Sequence, residues 1–360
     1  MRFQSERESV QLRDGCSLIR AASVPGLRVL AWRGNQLYAA RGYELLVGRI
    51  ENPSFLKWDP IAEFRPELKR RLTVSNRITA RLLRDGFHAL AVLPTGGLVA
   101  AVARAIITLR PGEREFSVTH RIARGTRPLH ITVAPNGMIF WGEYFDNAAR
   151  DEVHIYGSLD GEKWNVTYTF PKGEIRHVHN IVYDGWDDCL WILTGDYGDE
   201  CRILRADCNF SQVETVMQGN QQARAVALVP MQDGLYFASD TPLETNFIYR
   251  LDRGGNLSRL AKISGSSIYG CHVREHVFFS TMIEPSKANP DRHVRIYGGQ
   301  TGSELWGPLL AWEKDSWPMG LFQYGNAFLP DGNNTTEYLA LTTVAVKSED
   351  QVTSIYRVGV

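Results

Sequence analysis

The sequence predicts an all-β fold: a single β-propeller of seven four-stranded blades, its ring closed by a strand from the N-terminus. Three observations carry this. Short apolar strands alternate with Gly, Asn and Asp turns along all 360 residues. Hairpins recur at a nearly constant period, and three of them carry a histidine at the same place. His88 to His130 is 42 residues, His130 to His179 is 49 and His179 to Arg224 is 45, the length of one blade per repeat. Six blades is the alternative count. Unrelated antiparallel sheets, or a sandwich pair, is the competing architecture.

Taken in order, residues 1–22 hold two short alternating stretches, Ser9-Val-Gln-Leu12 and Cys16-Ser-Leu-Ile-Arg20. Gly26-Leu-Arg28-Val-Leu-Ala-Trp32, Gln36-Leu-Tyr-Ala-Ala40 and Tyr43-Glu-Leu-Leu-Val-Gly-Arg49 then read as a three-strand meander. Gly86-Phe-His88-Ala-Leu-Ala-Val92 repeats it, with a turn at Pro94-Thr-Gly-Gly97 before Leu98–Val102. Pro128-Leu-His130-Ile-Thr-Val133 follows, turning at Pro135-Asn-Gly137 into Met138–Glu143. The clearest copy is Arg176-His177-Val-His179-Asn-Ile-Val-Tyr-Asp184 with Cys189–Tyr197. Ala223–Leu228 with Gly234–Asp240 is the fifth hairpin, Ser267–Val273 with His276–Thr281 the sixth, and Leu321–Leu329 with Tyr338–Thr343 the seventh. The gap from Arg28 to His88 is 60 residues, so the first blade carries an insertion around Pro60–Asn76, with a short helix expected at Glu67–Leu72. Approximate blades are 23–77, 78–124, 125–173, 174–220, 221–265, 266–319 and 320–360, the last completed by 8–22. A completed last blade leaves no bare sheet edge.

Composition narrows the function classes. Lys+Arg and Asp+Glu are both 40, so no global field favours nucleic acid or an anionic membrane. No apolar run is long enough to span a bilayer, and the N-terminal residues lack the apolar core of a secretory signal. Five cysteines form no CxxC pair, which suits free thiols in a reducing, cytoplasmic setting. No GxGxxG follows a strand and no GK[ST] occurs, so a Rossmann or P-loop site is not expected.

In a propeller the inner strand of each blade starts at one face and lines the central channel, and the second strand returns to that face. A residue early on the first strand and one late on the second are therefore neighbours. This places Arg28, His88, His130, His179 and Arg224 in one layer at the channel mouth. Reflection through each turn adds Arg41, Glu143, Tyr144, Asp196, Tyr197 and Asp240. Arg127, Arg176 and His177 lie just upstream, and the following loops add Asp199, Glu200 and Asn246. His272 sits two residues before its turn and falls outside the layer. Ser267, Tyr269 and Glu284 are the better candidates in that blade.

Three readings of the histidines stand side by side. His88, His130 and His179 could converge on a divalent metal ion, with Glu143 or Asp196 supporting them. They could do acid–base chemistry beside a carboxylate. They could simply line the channel. Arg28, Arg41, Arg127, Arg176 and Arg224 suit a carboxylate, sulfate or phosphate on a ligand, or else pair with Glu143, Asp196, Asp199 and Asp240. Tyr144 and Tyr197 could stack on a sugar, act as phenolic acids, or pack between blades.

Ser158-Leu-Asp160-Gly161-Glu-Lys-Trp164 resembles the Asp-box of BNR-repeat, sialidase-like propellers, whose pattern is Ser-x-Asp-x-Gly-x-Thr-Trp. It is one residue short and has Lys163 in place of Thr. The resemblance implies the propeller fold and a structural turn between outer strands, away from the channel. Sialidases use an arginine triad, a Tyr/Glu nucleophile pair and an Asp acid, which do not map here residue by residue. The His-rich funnel is more similar to propeller polysaccharide lyases that pair channel histidines with a metal and an arginine.

The expected function is a carbohydrate-active enzyme cleaving a glycosidic bond in an acidic glycan. In a hydrolase Glu143 and Asp196 would be acid and base, with Arg176 and Arg224 on the anionic group. In a lyase His130 or His179 would take the proton, Tyr144 or Tyr197 would protonate the leaving oxygen, and a metal or Arg224 would stabilise the enediolate. Arg28, Arg127, His177, Asp240 and Asn246 complete the binding set. The alternatives are another His–metal propeller enzyme and a non-catalytic propeller binding a glycan or a protein.

Overall fold

The structure is a computed structural model that describes residues 9–11, 16–51, 53, 56–68, 70, 73 and 77–359, with backbone only at 9–11 and 77. Seven sheets, antiparallel except for one pair of strands, stand in a ring, making a seven-bladed propeller. The inner strands are Arg28–Gly34, Ala89–Val92, Thr132–Val133, Val178–Asp184, Ala225–Met231, Tyr269–Val273 and Asn326–Phe328. Each blade runs outward from its inner strand by hairpins. Blade 4, for instance, is Val178–Asp184, Cys189–Thr194, Arg202–Ala206 and Val213–Gln218.

Burial explains the strand sequences. The second and third strands of blade 2, Leu98–Val102 and Ala105–Leu109, are buried at every residue, because blades press on them from both sides. They therefore read as continuous apolar runs. Outer strands such as Val213–Gln218 have mostly exposed residues and carry charge. The core is a set of apolar layers between blades. Val99 and Ile106 of blade 2 share one with Ile139 and Trp141 of blade 3, and Leu193 and Ile203 of blade 4 share another with Leu228 and Phe237 of blade 5. Each such side chain contributes about 1.5–3 kcal/mol on burial.

The N-terminal strand Ser17–Pro25 closes the ring, antiparallel to Val352–Gly359 with Ser17 opposite Gly359 and Pro25 opposite Val352. Ser9–Gln11 adds a fifth strand outside it. Arg20 grips Glu349 with both terminal nitrogens, one at 2.9 Å, and so fastens the strand Ser17–Pro25 to the last turn.

Two departures from a regular ring shape the channel. After Phe328 the inner strand of blade 7 leaves its own sheet, and Asp331–Asn334 pairs in parallel with the inner strand of blade 1. Gly332 (φ +88°) makes this approach feasible, since a Cβ there would lie 2.3 Å from the Trp32 carbonyl oxygen. The second departure is the insertion between blades 1 and 2. Its expected helix at Glu67–Leu72 lies partly outside the described residues, although Leu68 and Arg70 are helical. A further helix, Arg77–Leu83, has no acidic residue in its first turn to mark it. Arg81 anchors it, buried against Asp315 and the Trp317 ring.

Ser158–Trp164 forms the turn between the outer strands Val153–Ser158 and Asn165–Phe170. Asp160 accepts from the backbone N–H of Glu162 (2.7 Å) and Lys163 (2.9 Å), while Trp164 donates to the Gly161 carbonyl at 3.1 Å. The turn serves architecture. Among the described residues no helix is long and apolar enough to cross a membrane.

Candidate functional site

A separate cavity opens at each end of the channel. The larger, about 830 Å³, lies where inner strands end, and backbone and apolar side chains supply most of its lining. The smaller, about 580 Å³, lies where inner strands begin and gathers the chemistry. Arg28, His88, His179 and Arg224 line it together, as their repeat positions require, with Tyr269 and Glu284 from blade 6. His272 lines the opposite cavity.

His130 does not join the layer. It lines the larger cavity and holds Asp331 through Nδ1 at 3.0 Å. The inner strand of blade 3 is only Thr132–Val133, and His130 lies before it. Leu129 and Arg127 face the smaller cavity instead.

Glu143 is likewise displaced. It follows Trp141 onto the blade 2 side of its sheet, where Arg124 and the His154 N–H (2.9 Å) hold it, and it lines neither cavity. The paired acids of the hydrolase reading, Glu143 and Asp196, are therefore not assembled around one cavity. Asn246 is also committed. Its amide bonds Ser239, Thr241 and Asn289 inside the blade 5 loop. Arg176 is committed to the buried Glu200 (3.3 Å) and lies over the half-exposed Tyr197 ring.

On one wall of the smaller cavity the charge is positive. Arg28 stacks on Phe328 at 3.9 Å and donates to the His88 carbonyl at 3.2 Å. Arg127 lies close enough to Arg28 for the two to repel. Among the described residues neither makes an ion pair. Burial, together with Arg28, pushes Arg127 down to about 10, and burial also lowers Arg28. The same burial, with Arg127 and Arg28 beside it, holds His88 well below the usual imidazole range, so it is neutral at pH 7. Arg84, just beyond the helix Arg77–Leu83, adds a third guanidinium to this wall. Repeat alignment misses it because it lies outside the repeats.

His179, Arg224, Asp240 and Glu284 line another part of the cavity, and His177 and Asp196 sit beside them without lining it. The His177 and His179 Nε2 atoms lie 3.0 Å apart, and Asp196 Oδ1 is 3.4 and 3.5 Å from them. Arg224 reaches Asp196 at 3.2 Å and Asp240 at 3.5 Å. Burial takes His179 down to about 4 and lifts Asp240 to about 7 against the pull of Arg224. Burial near Asp196 and Asp240 also pushes Tyr144 up to about 12, so it is a phenol at neutral pH, with its ring 4.4 Å from that of His177.

Among the described residues the one group of three ligand-type side chains within metal-binding reach is His177, His179 and Asp196. The expected His88, His130 and His179 set does not converge. What the repeat period could not show is a β-bulge in the inner strand of blade 4, between Val178 and Asn180. It turns two successive side chains, His179 and Asn180, into the channel, where they bond the carbonyls of Ala225 and Val226. Asp196 is aimed by its loop, where Gly195 (φ +77°) packs against Glu200. A Cβ on Gly195 would lie 1.8 Å from the Glu200 carbonyl oxygen. Gly195→Ala is therefore expected to cost about 1–3 kcal/mol and to move Asp196. Denaturant melts read the first effect, and a drop in ligand affinity reads the second.

No family model matches this chain, and no curated protein matches it in sequence. Solved structures match it across nearly its whole length. The β-propeller domain of Myceliophteria thermophila Cps50 (Swd1) aligns at TM-score 0.56 and 12% identity over 94% of this chain and 99% of that one. The WD40 β-propeller domain of Doa1 aligns at 0.56 and 9% over 97% and 95%. A catalytically inactive virginiamycin B lyase from Staphylococcus aureus with quinupristin aligns at 0.55 and 12% over 98% and 99%. At these identities the likeness is one of fold.

Proposed function

We propose that the protein is a binding propeller that captures a small anionic molecule in the smaller cavity, an acidic sugar being the class the sequence suggests. One observation carries the reading: Arg28 and Arg127 face the cavity and, among the described residues, neither forms an ion pair, Asp331 and Asp85 acting on them only from a distance. Two guanidinium groups that repel each other in a half-buried wall are stabilised by a carboxylate, sulfate or phosphate placed between them. The five free cysteines fit a reducing, cytoplasmic compartment.

Calorimetric titration with uronate, sulfated and phosphorylated sugars tests the proposal. Arg28→Ala/Arg127→Ala is expected to weaken binding about 100-fold, two charge-assisted contacts being worth about 1.5–3 kcal/mol each before compensation. Equal affinity in the wild type and the double variant would remove the reading.

A second reading, lyase chemistry at the same cavity, is favoured by Tyr144, whose protonated phenol faces the cavity beside His179. It would donate a proton to a leaving oxygen. Tyr144→Phe separates the two readings. Binding without turnover by either protein supports the binding propeller, whereas wild-type turnover lost in the variant supports the lyase.

A further inference from the structure

We propose that His177, His179 and Asp196 form a binding site for one divalent first-row transition-metal ion at the edge of the smaller cavity. The argument begins with the ring nitrogens that face away from one another. His177 Nδ1 lies 3.2 Å from the Phe145 carbonyl oxygen, and His179 Nδ1 lies 3.0 Å from the Ala225 carbonyl oxygen. A carbonyl oxygen only accepts, so each Nδ1 carries the hydrogen. In the neutral rings both Nε2 atoms then present lone pairs. Those two lone pairs face each other at 3.0 Å, with the Asp196 carboxylate oxygen 3.4–3.5 Å from both. Both histidines are more than nine-tenths buried, so water cannot readily relieve the repulsion. A cation between the three atoms does.

The geometry suits an imidazole-binding metal. Ligand bonds of about 2.0–2.2 Å from one point span these separations at angles of about 90° between the nitrogens and about 110° from nitrogen to oxygen. The Nδ1–H to carbonyl bonds are the contacts that orient metal-ligating imidazoles and fix their tautomer. Both histidines come from one stretch at i and i+2, so their side chains leave the same side of the chain. Two imidazoles and one carboxylate favour zinc, iron(II) or cobalt(II) over magnesium or calcium, which prefer oxygen ligands throughout. Arg224 on the same Asp196 oxygen opposes the ion, while the nearby Glu284 carboxylate offsets Arg224. Three protein ligands leave coordination positions for water or a ligand, and His179 lines the cavity. This site does not depend on the anion reading.

The test uses the full chain, stripped with chelator and titrated with cobalt(II) and zinc(II). Cobalt is expected to bind one per chain with visible d–d absorption and no thiolate charge-transfer band. Zinc should displace it and raise the melting temperature. His179→Gln and Asp196→Asn should each weaken zinc binding about 100-fold or more and abolish that rise. Their melting without metal, in chelator, shows whether they fold. If a variant does not fold, the wild-type cobalt spectrum decides alone. A thiolate band, no cobalt bands at one equivalent, or equal zinc affinity in a folded variant would overturn the proposal.

Discussion

Asp315→Ala is expected to destabilise the protein by about 3–5 kcal/mol, the cost of breaking a buried ion pair by removing one partner. The carboxylate serves two cations at once. Arg81 and Lys314 are both 1% exposed and both bond it, Arg81 through one oxygen and Lys314 through the other. The Trp317 N–H also donates to it at 3.1 Å, and the Arg81 guanidinium lies 4.2 Å over the Trp317 ring. Burial alone would raise Asp315, yet Arg81 and Lys314 hold it below the usual carboxylate range, so it is ionised at neutral pH. Its removal leaves two buried cations without their shared carboxylate. Asp315→Asn keeps an acceptor but loses the charge, and should fall between the wild type and alanine. Denaturant midpoints measure all three. A loss below about 1 kcal/mol for alanine would show that the cations find other partners. The change should also reach the cavity. Arg81 ties the helix Arg77–Leu83 to blade 6, and Arg84 follows directly on that helix, so anion affinity should drop although Asp315 lines neither cavity.

How much of this was legible depends on whether a residue obeys the repeat. Period alone brings Arg28, His88, His179 and Arg224 to one mouth and passes over His272 for Tyr269 and Glu284. It fails where local chemistry overrides it. The inner strand of blade 3 is cut to two residues, and His130, before it, lines the other cavity. Reflection through the hairpin cannot send both Glu143 and Tyr144 to the channel, since adjacent strand residues face opposite ways. Arg124 captures the acid, and the phenol faces the cavity. The bulge that turns His179 and Asn180 together into the channel, with counterparts in blades 1 and 5, leaves no compositional mark, although the His-x-His spacing was visible. Arg84 belongs to an insertion, where no repeat exists to align. Asn246 reads only as an amide in a loop, because sequence does not show that its groups are spent on Ser239 and Thr241 and on Asn289, 43 residues away. Fold follows from pattern because every blade repeats the same burial. The site draws on departures from that pattern.

Those departures include an acid that burial keeps from ionising, and Asp240 gives the second large effect, one of pH. In the unfolded chain its carboxyl titrates near 3.8, and in the fold burial lifts it to about 7. Below pH 4 both states are protonated and the group contributes no penalty. Between pH 4 and 7 the unfolded state releases its proton while the folded state keeps it. Stability therefore falls by about 1.4 kcal/mol per pH unit, and the loss is complete above pH 7 at about 4 kcal/mol. Arg224 already opposes this shift, whereas Glu284 and Asp196 reinforce it. Asp240→Asn has no proton to lose. Its stability relative to wild type should rise by several kcal/mol from pH 4 to pH 8, whatever its offset at pH 4. Denaturant melts of both proteins in chelator across that range measure the difference directly. Carboxylates such as Asp291, lowered to about 2, act in the opposite direction, but they are common to both proteins and cancel. Parallel curves would mean that Asp240 is already ionised in the fold and that Arg224 outweighs burial. A divergence centred near pH 5–6 would instead identify a carboxyl kept protonated against the cavity wall, able to donate a hydrogen bond to an anion near neutral pH.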